Sequence, residues 1–252
     1  HQSDHCETLG SPFMALLCRI QGDRNVAADG AVANRLRTWP GDPSHRADAV
    51  PLRLCGALHA LVLSGADSEL ATVYPPHHQS HDDTELWKAV SRALQTHAGM
   101  ILEWLTSPPQ TNEVRRSAAL YSGLLMIAQR TDRPLSLNEI GASGGLNLNL
   151  DRYGYDVCGS EFGVCESPVR LAPDWTGPIP PPADIRVADR AGCDLRPLDF
   201  SRKEDRLRGF AYIWADQDAR LRRTGAAMDM AAGSGIKVEQ SDAATFVERR
   251  LS

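Results

Sequence analysis

No histidine follows His97 in this chain of 252 residues, and all eight lie at or before that position. A serine nucleophile in the second half would therefore have no downstream imidazole to take its proton. Long apolar runs are also missing. Nothing approaches the roughly 18 unbroken apolar residues of a membrane-spanning helix, and no charged-then-apolar leader resembles a secretory signal. The six cysteines, Cys6, Cys18, Cys55, Cys158, Cys165 and Cys193, form no Cys-x-x-Cys pair, and none has a histidine at metal-ligand spacing. A basic excess is absent: the net charge is −5, which argues against a dedicated nucleic-acid surface. No internal repeat is evident.

What is present suits a soluble globular protein of one large or two modest domains, with 42% hydrophobic and 23% charged residues. Scattered cysteines in a chain too large to need stapling imply a reduced, cytoplasmic setting. Cys158 and Cys165 are close enough in sequence to face each other across a hairpin, and are read as unbridged thiols. The chain begins at His1 rather than Met, so the natural N-terminus is expected further upstream. The run Arg220, Arg222 and Arg223 reads as a solvated helix face.

The first ~130 residues read as helical. Phe13, Leu16, Leu17 and Ile20 fall at helix spacing, as do Leu52, Leu54, Leu58, Leu61 and Val62. Breakers at Trp39-Pro40-Gly41-Asp42-Pro43 and Pro75-Pro76 punctuate the pattern. A last helix is expected from about Asn112 to Arg130, with Leu120, Leu124, Leu125 and Ile127 inward. At Pro134 the character changes. Strands are expected at Leu135–Ile140, Val169–Leu171, Ile185–Ala188 and Ile236–Glu239, with helices at about Glu204–Trp214, Asp216–Ala232 and Ala243–Arg250. Strands alternating with helices imply right-handed crossovers and a largely parallel sheet.

The densest signal is Glu139-Ile140-Gly141-Ala142-Ser143-Gly144-Gly145. An apolar strand runs into an acidic residue, then into a turn of small residues. Such a turn lets backbone N–H groups approach a ligand closely. The next segment is ambiguous: Leu146, Leu148 and Leu150 alternate at strand period, while Leu146, Leu150 and Tyr153 share one helix face. The turn resembles the acidic-x-Gly-x-Gly-x-Gly opening of S-adenosylmethionine-dependent methyltransferases, with Ser143 at the middle glycine. That resemblance implies that the turn, Gly141, Ser143, Gly144 and Gly145, passes under the methionine part of the cofactor, with Glu139 supporting the turn or the amino group. It also implies a ribose-binding carboxylate at Asp194, after the strand near Ile185–Ala188. The separation of about 50 residues from Gly145 exceeds the usual ~20, so an insertion at about 151–182 is required, and Asp189 and Asp199 are alternatives. Asp242, after the next strand, would accept from the adenine amino group or simply cap the helix that follows.

The same turn also matches Gly-x-Ser-x-Gly, the nucleophile elbow of serine hydrolases, a reading that the histidine distribution opposes. The loop His77, His78 and His81 with Asp82 and Asp83 lacks the helical spacing of catalytic zinc ligands and reads as a solvated loop, with no metal site. Gln110, Asn112 and Glu113 cluster polar groups at the start of the last N-terminal helix, where they either cap it or face a substrate.

Across the whole chain, Trp39-Pro40-Gly41-Asp42-Pro43, Pro51-Leu52-Arg53-Leu54, Ala57-Leu58-His59-Ala60-Leu61, Val73-Tyr74-Pro75-Pro76, Pro108-Pro109-Gln110-Thr111-Asn112-Glu113, the Glu139–Leu148 stretch, Ser167-Pro168-Val169-Arg170-Leu171 and Ala191-Gly192-Cys193-Asp194-Leu195 resemble an uncharacterised bacterial family, domain of unknown function 2332. The resemblance implies further strands beyond this C-terminus. The expected architecture is α/β: a helical region of about 1–130 packed on a Rossmann-like, methyltransferase-like, mostly parallel sheet in 131–252, incomplete at its C-terminal side. The expected function is S-adenosylmethionine-dependent methyl transfer to a small molecule, without nucleic-acid or membrane partners. The competing expectation is a non-catalytic ligand-binding or scaffold protein on the same fold.

Overall fold

The computed structural model describes residues 2–25, 29–77 and 83–251. The chain divides into two compact units, His1–Thr111 with Leu207–Asp218, and Asn112–Arg206 with Ala219–Ser252.

The first unit is helical: α1 (Gln2–Thr8), α2 (Pro12–Asn25), α3 (Ala31–Arg37), α4 (Val50–Leu63), α5 (Ser68–Thr72), α6 (Asp83–Thr96) and α7 (Ala98–Leu105). Pro51 sits in the first turn of α4, where its missing N–H costs nothing. From there the helix buries Leu54, Leu58 and Leu61 against Leu17, Tyr74, Ile101 and Leu105. Asp67 caps α5 by accepting from Leu70 N–H at 2.9 Å and pairs with Arg92 and His97. The returning segment Leu207–Asp218 belongs to this core. A Cβ at Gly56 of α4 would lie 2.5 Å from the Tyr212 ring, so glycine is what lets the ring seat there. Asp216 accepts from Phe13 N–H at 3.0 Å and pairs with the Ser11 hydroxyl at the start of α2. Cys6, Cys18 and Cys55 are buried in this unit, with 3.8 Å between the Cys18 and Cys55 sulfurs. Of the histidine loop, His78, His81 and Asp82 lie outside the described residues.

The second unit is α/β. It begins with α8 (Arg116–Thr131) and β1 (Leu135–Ile140), the latter with the bounds expected from sequence. A 3-10 helix over Asn147–Arg152 follows, then β2 (Gly154–Val157), β3 (Ser160–Gly163), β4 (Arg170–Leu171), β5 (Val187–Asp194), α9 (Lys203–Ala211, whose part from Leu207 on belongs to the first unit), α10 (Asp218–Gly233, all but Asp218 in this unit), β6 (Val238–Gln240) and α11 (Ala243–Leu251). Strands β1, β5 and β6 form a parallel sheet in the order β1-β5-β6. Residues 154–171 form a separate small sheet, β3-β2-β4. Its hairpin turns at Cys158 and Gly159, both at positive φ (53° and 81°), with Gly159 N–H donating to Asp156 at 2.7 Å. Cys158 thus sits at the turn and Cys165 beyond the open end of the hairpin. Both are exposed, Cys193 on β5 is buried, and none of the six cysteines is bridged.

Three expectations need correction. The segment after the glycines is neither an α-helix nor a strand. Tyr153 and Tyr155 hydroxyls donate to the carbonyls of Leu146 (2.5 Å) and Leu150 (2.6 Å), acceptors that an α-helix would give to N–H groups four residues on. On α8, Leu125 is buried while Leu120 and Ile127 are exposed. The inward stripe is Ser117, Ala118, Tyr121, Ser122, Leu125 and Ala128, at the spacing one helix face requires. Arg220 and Arg223 are half-buried, and only Arg222 of that run is exposed. No helix of the described residues is long and apolar enough to cross a membrane.

Candidate functional site

The parallel pairing of β1 with β5 brings Glu139 beside Gly192 and Ile140 beside Cys193, so both strands end at one place. The chain leaves β1 through Gly141 (φ 65°), Ala142, Ser143 (φ 52°), Gly144 and Gly145 (φ 71°). Ser143, at the middle glycine position of the motif, is held in the left-handed region that glycine favours. That costs a non-glycine residue of order 1 kcal/mol.

Contacts from far along the chain over-determine the turn. The Asp194 carboxylate accepts from Ser143 N–H at 2.9 Å and from Arg196 N–H at 2.8 Å. Ala142 N–H donates to Cys193 O at 2.9 Å, and Leu198 N–H to Ser143 O at 3.2 Å. A Cβ on Gly144 would stand 2.0 Å from Phe200 Cε2. Gly192 is constrained likewise, since its Cβ would stand 2.9 Å from Ala142 Cβ and from Leu148 Cδ1. Glycine is thus required in the turn both for its dihedrals and for the close approach of β5 and the Phe200 ring.

Glu139 sits at the mouth of this turn. Its Oε1 accepts from Asn147 Nδ2 at 3.3 Å, and its buried Oε2 has no hydrogen-bond partner. Asn147 Oδ1 in turn accepts from Ser117 Oγ at 2.8 Å. Burial pushes the Glu139 carboxyl above its ordinary value, with the Asn147 hydrogen bond and the charge of Arg116 acting the other way. A carboxylate with one oxygen unengaged in a partly dry position suits a cationic partner such as an ammonium group.

The other carboxylates named from sequence separate clearly. Asp189 pairs in register with Ser136 and bonds Arg250. It lies five residues before Asp194, about 16 Å down the strand at ~3.3 Å per residue. Asp199 accepts from Ser201 N–H (2.9 Å) and Oγ (2.6 Å). Asp242 caps α11, accepting from Thr245 N–H at 3.0 Å and Oγ1 at 2.6 Å. These bonds lower the Asp242 carboxyl below the usual range.

Gln110 belongs to the helical unit, and Asn112 and Glu113 to the α/β unit. The helix expected from Asn112 starts only at Arg116, because Glu113 folds back to accept from Arg115 N–H at 2.9 Å. Its other oxygen pairs with Arg220 at 2.8 Å. Asn112 is buried, with no partner for its Nδ2. Ser117, Asn147 and Phe200 touch the turn or the Glu139 network and were not assigned from sequence; Arg220, read from sequence as solvated, pairs instead with Glu113. Asn147 lay within the motif, and its side chain was placed only by the 3-10 turn. Among the described residues no three His, Cys, Asp or Glu side chains are grouped to hold a metal ion.

The chain matches, over residues 1–252, the family described as "Uncharacterized protein conserved in bacteria (DUF2332)", and it belongs to that family. No curated protein and no solved structure matches it.

Proposed function

We propose that this member of the bacterial family binds S-adenosylmethionine at the Gly141–Gly145 turn and transfers its methyl group to a small molecule. The observation that carries the reading is the left-handed turn at the ends of β1 and β5, with Glu139 beneath it and Asp194 beside it. In the assignment, the turn passes under the methionine moiety and the unengaged Glu139 oxygen meets its ammonium group. Asp194 receives the ribose hydroxyls on the lone pairs that Ser143 and Arg196 leave open. Asp242 is assigned to the adenine amino group, whose hydrogen it would accept on the lone pairs that Thr245 leaves open. Gln110, Asn112 and Glu113 are assigned to the acceptor. The unbridged cysteines support a reducing, cytoplasmic setting.

The sulfonium is already activated when bound, so such an enzyme needs chiefly to bind, align and exclude water. That suits a site without a histidine base. The competing reading is a ligand-binding or scaffold protein. It is favoured by one observation: each Asp194 oxygen already serves the backbone, one holding the turn and one the loop after β5.

Isothermal titration of the protein with S-adenosylmethionine, with Gly141→Val and Glu139→Gln alongside, tests the reading. Binding that both variants weaken supports it. No binding at millimolar cofactor removes the assignment and leaves the turn as a packing device. Binding without methyl transfer to any acceptor supports the second reading.

A further inference from the structure

A group of guanidinium ions in the α/β unit is not absorbed by this reading. Arg220 pairs with Glu113 at 2.8 Å, and Glu113 spends its other oxygen on the N–H of Arg115 at 2.9 Å. Arg223, one turn along α10 from Arg220, is half-buried, and its Nε has no hydrogen-bond partner. Burial lowers its affinity for its proton. The carboxylate of Glu113 works against that effect, and the charges of Arg115 and Arg220 reinforce it. Arg223 therefore lies among two further cations and a carboxylate that is already engaged.

Two buried donors neighbour the group in sequence. Asn112, which precedes Glu113, has no partner for Nδ2, and Thr224, next to Arg223, has none for Oγ1. Their residues are 7% and 1% exposed, so both groups have lost water without gaining a protein partner. Arg115, exposed at the N-cap of the sixteen-residue α8, adds a further positive charge that reaches Arg223. Two half-buried like charges one turn apart on α10, with unpaired buried donors nearby in sequence, are costly for a fold to maintain. An oxyanion is the kind of partner that such donors and cations share, and guanidinium forks match its geometry.

We propose that Arg115, Arg220 and Arg223, with Asn112 and Thr224, form a binding site for the phosphate or carboxylate group of a small molecule. The site stands on this cluster alone and does not depend on methyl transfer. It adjoins the Glu139 network through the loop Asn112–Ser117, whose last residue bonds Asn147.

The test is nitrogen-15 NMR of the arginine Nε–Hε signals of the whole chain, titrated at constant ionic strength with inorganic phosphate, malonate or chloride. The expected result is a saturable shift of the Arg223 and Arg220 signals with phosphate or malonate; in Arg223→Lys, which keeps the charge but loses the fork, the Arg220 signal should report binding at least tenfold weaker. Tighter binding of phosphate identifies a phosphorylated ligand, and tighter binding of malonate a carboxylate. An Arg223 signal that moves identically in chloride overturns the proposal, as does unchanged affinity in a folded Arg223→Lys. The wild-type titration decides on its own if the variant does not fold, and it reads the arginine cluster whether or not S-adenosylmethionine binds.

Discussion

The carboxylate of Asp194 accepts a hydrogen bond from the backbone N–H of Ser143 at 2.9 Å, joining the end of β5 to the turn after β1 across 51 residues. Neither residue would adopt its arrangement alone: Ser143 is in a conformation it disfavours, and Asp194 is a charge drawn partly out of water. Bonds from N–H groups to a carboxylate are each worth about 1.5–3 kcal/mol. Asp194→Ala is expected to lower the unfolding free energy by about 2 kcal/mol, and Asp194→Asn, which keeps an acceptor, by about half as much. Urea denaturation followed by circular dichroism measures both, and equal losses would show that the charge contributes nothing.

The contact of Gly144 with Phe200 predicts a compensating pair. Gly144→Ala places a methyl group inside the ring's volume, and overpacking of this kind costs about 1–3 kcal/mol. Phe200→Leu creates room at its own cost. In the double variant the alanine should be tolerated, so that the two changes together cost at least ~1 kcal/mol less than their sum. Additive losses would mean that the ring moves aside freely.

Glu139 gives a pH signature. Its carboxyl is raised in the folded protein by burial, so below the ordinary glutamic acid value both folded and unfolded chains carry the proton and the group is neutral to stability. Above that value the unfolded chain ionises first, and folding loses stability until the pH passes the higher folded value. The melting temperature of Glu139→Gln relative to wild type should therefore rise between pH 4 and pH 7. A difference that stays constant with pH would contradict burial as the cause.

His59 has the opposite sign. Buried on α4 with Nδ1 3.3 Å from Ala211 O, it is lowered from 6.5 to about 4, chiefly by burial. Stability from this group is fully present above the unfolded value and is lost as pH falls toward the folded one. At 1.36 kcal/mol per unit this amounts to about 3 kcal/mol. His59→Gln should flatten the acid limb of the helical unit's stability between pH 6.5 and pH 4. An unchanged limb would place the acid sensitivity elsewhere.

The sequence made β1 and α11 legible because their signals are local: an apolar run before glycines, and Ser-Asp before a helix-forming stretch. It could not resolve the chain after Gly145, where the outcome is decided by hydroxyls of Tyr153 and Tyr155 that arrive from the following strand. Cys158 and Cys165 suggest a hairpin, but the sequence does not place its strands and turn, because Cys158, rather than asparagine or glycine, occupies the first left-handed position of the turn. The turn residues themselves were visible in the motif. The hold of Asp194 on Ser143 was not, since nothing local marks a contact 51 residues away. Arg223 was read as a solvated charge because helix-face arguments do not know what α8 and its preceding loop bring to that face.

The distribution of thiols makes the protein a reporter of its own opening. Cys158 and Cys165 are exposed, and Cys6, Cys18, Cys55 and Cys193 are buried. Under a thiol-specific reagent two sulfurs should be modified at once, and four only when the surrounding structure opens. Three of the slow ones lie in the helical unit and Cys193 lies in the parallel sheet. Peptide-resolved labelling would thus time the two units separately on a single unmodified chain, with each protected cysteine serving as a clock for the element that covers it.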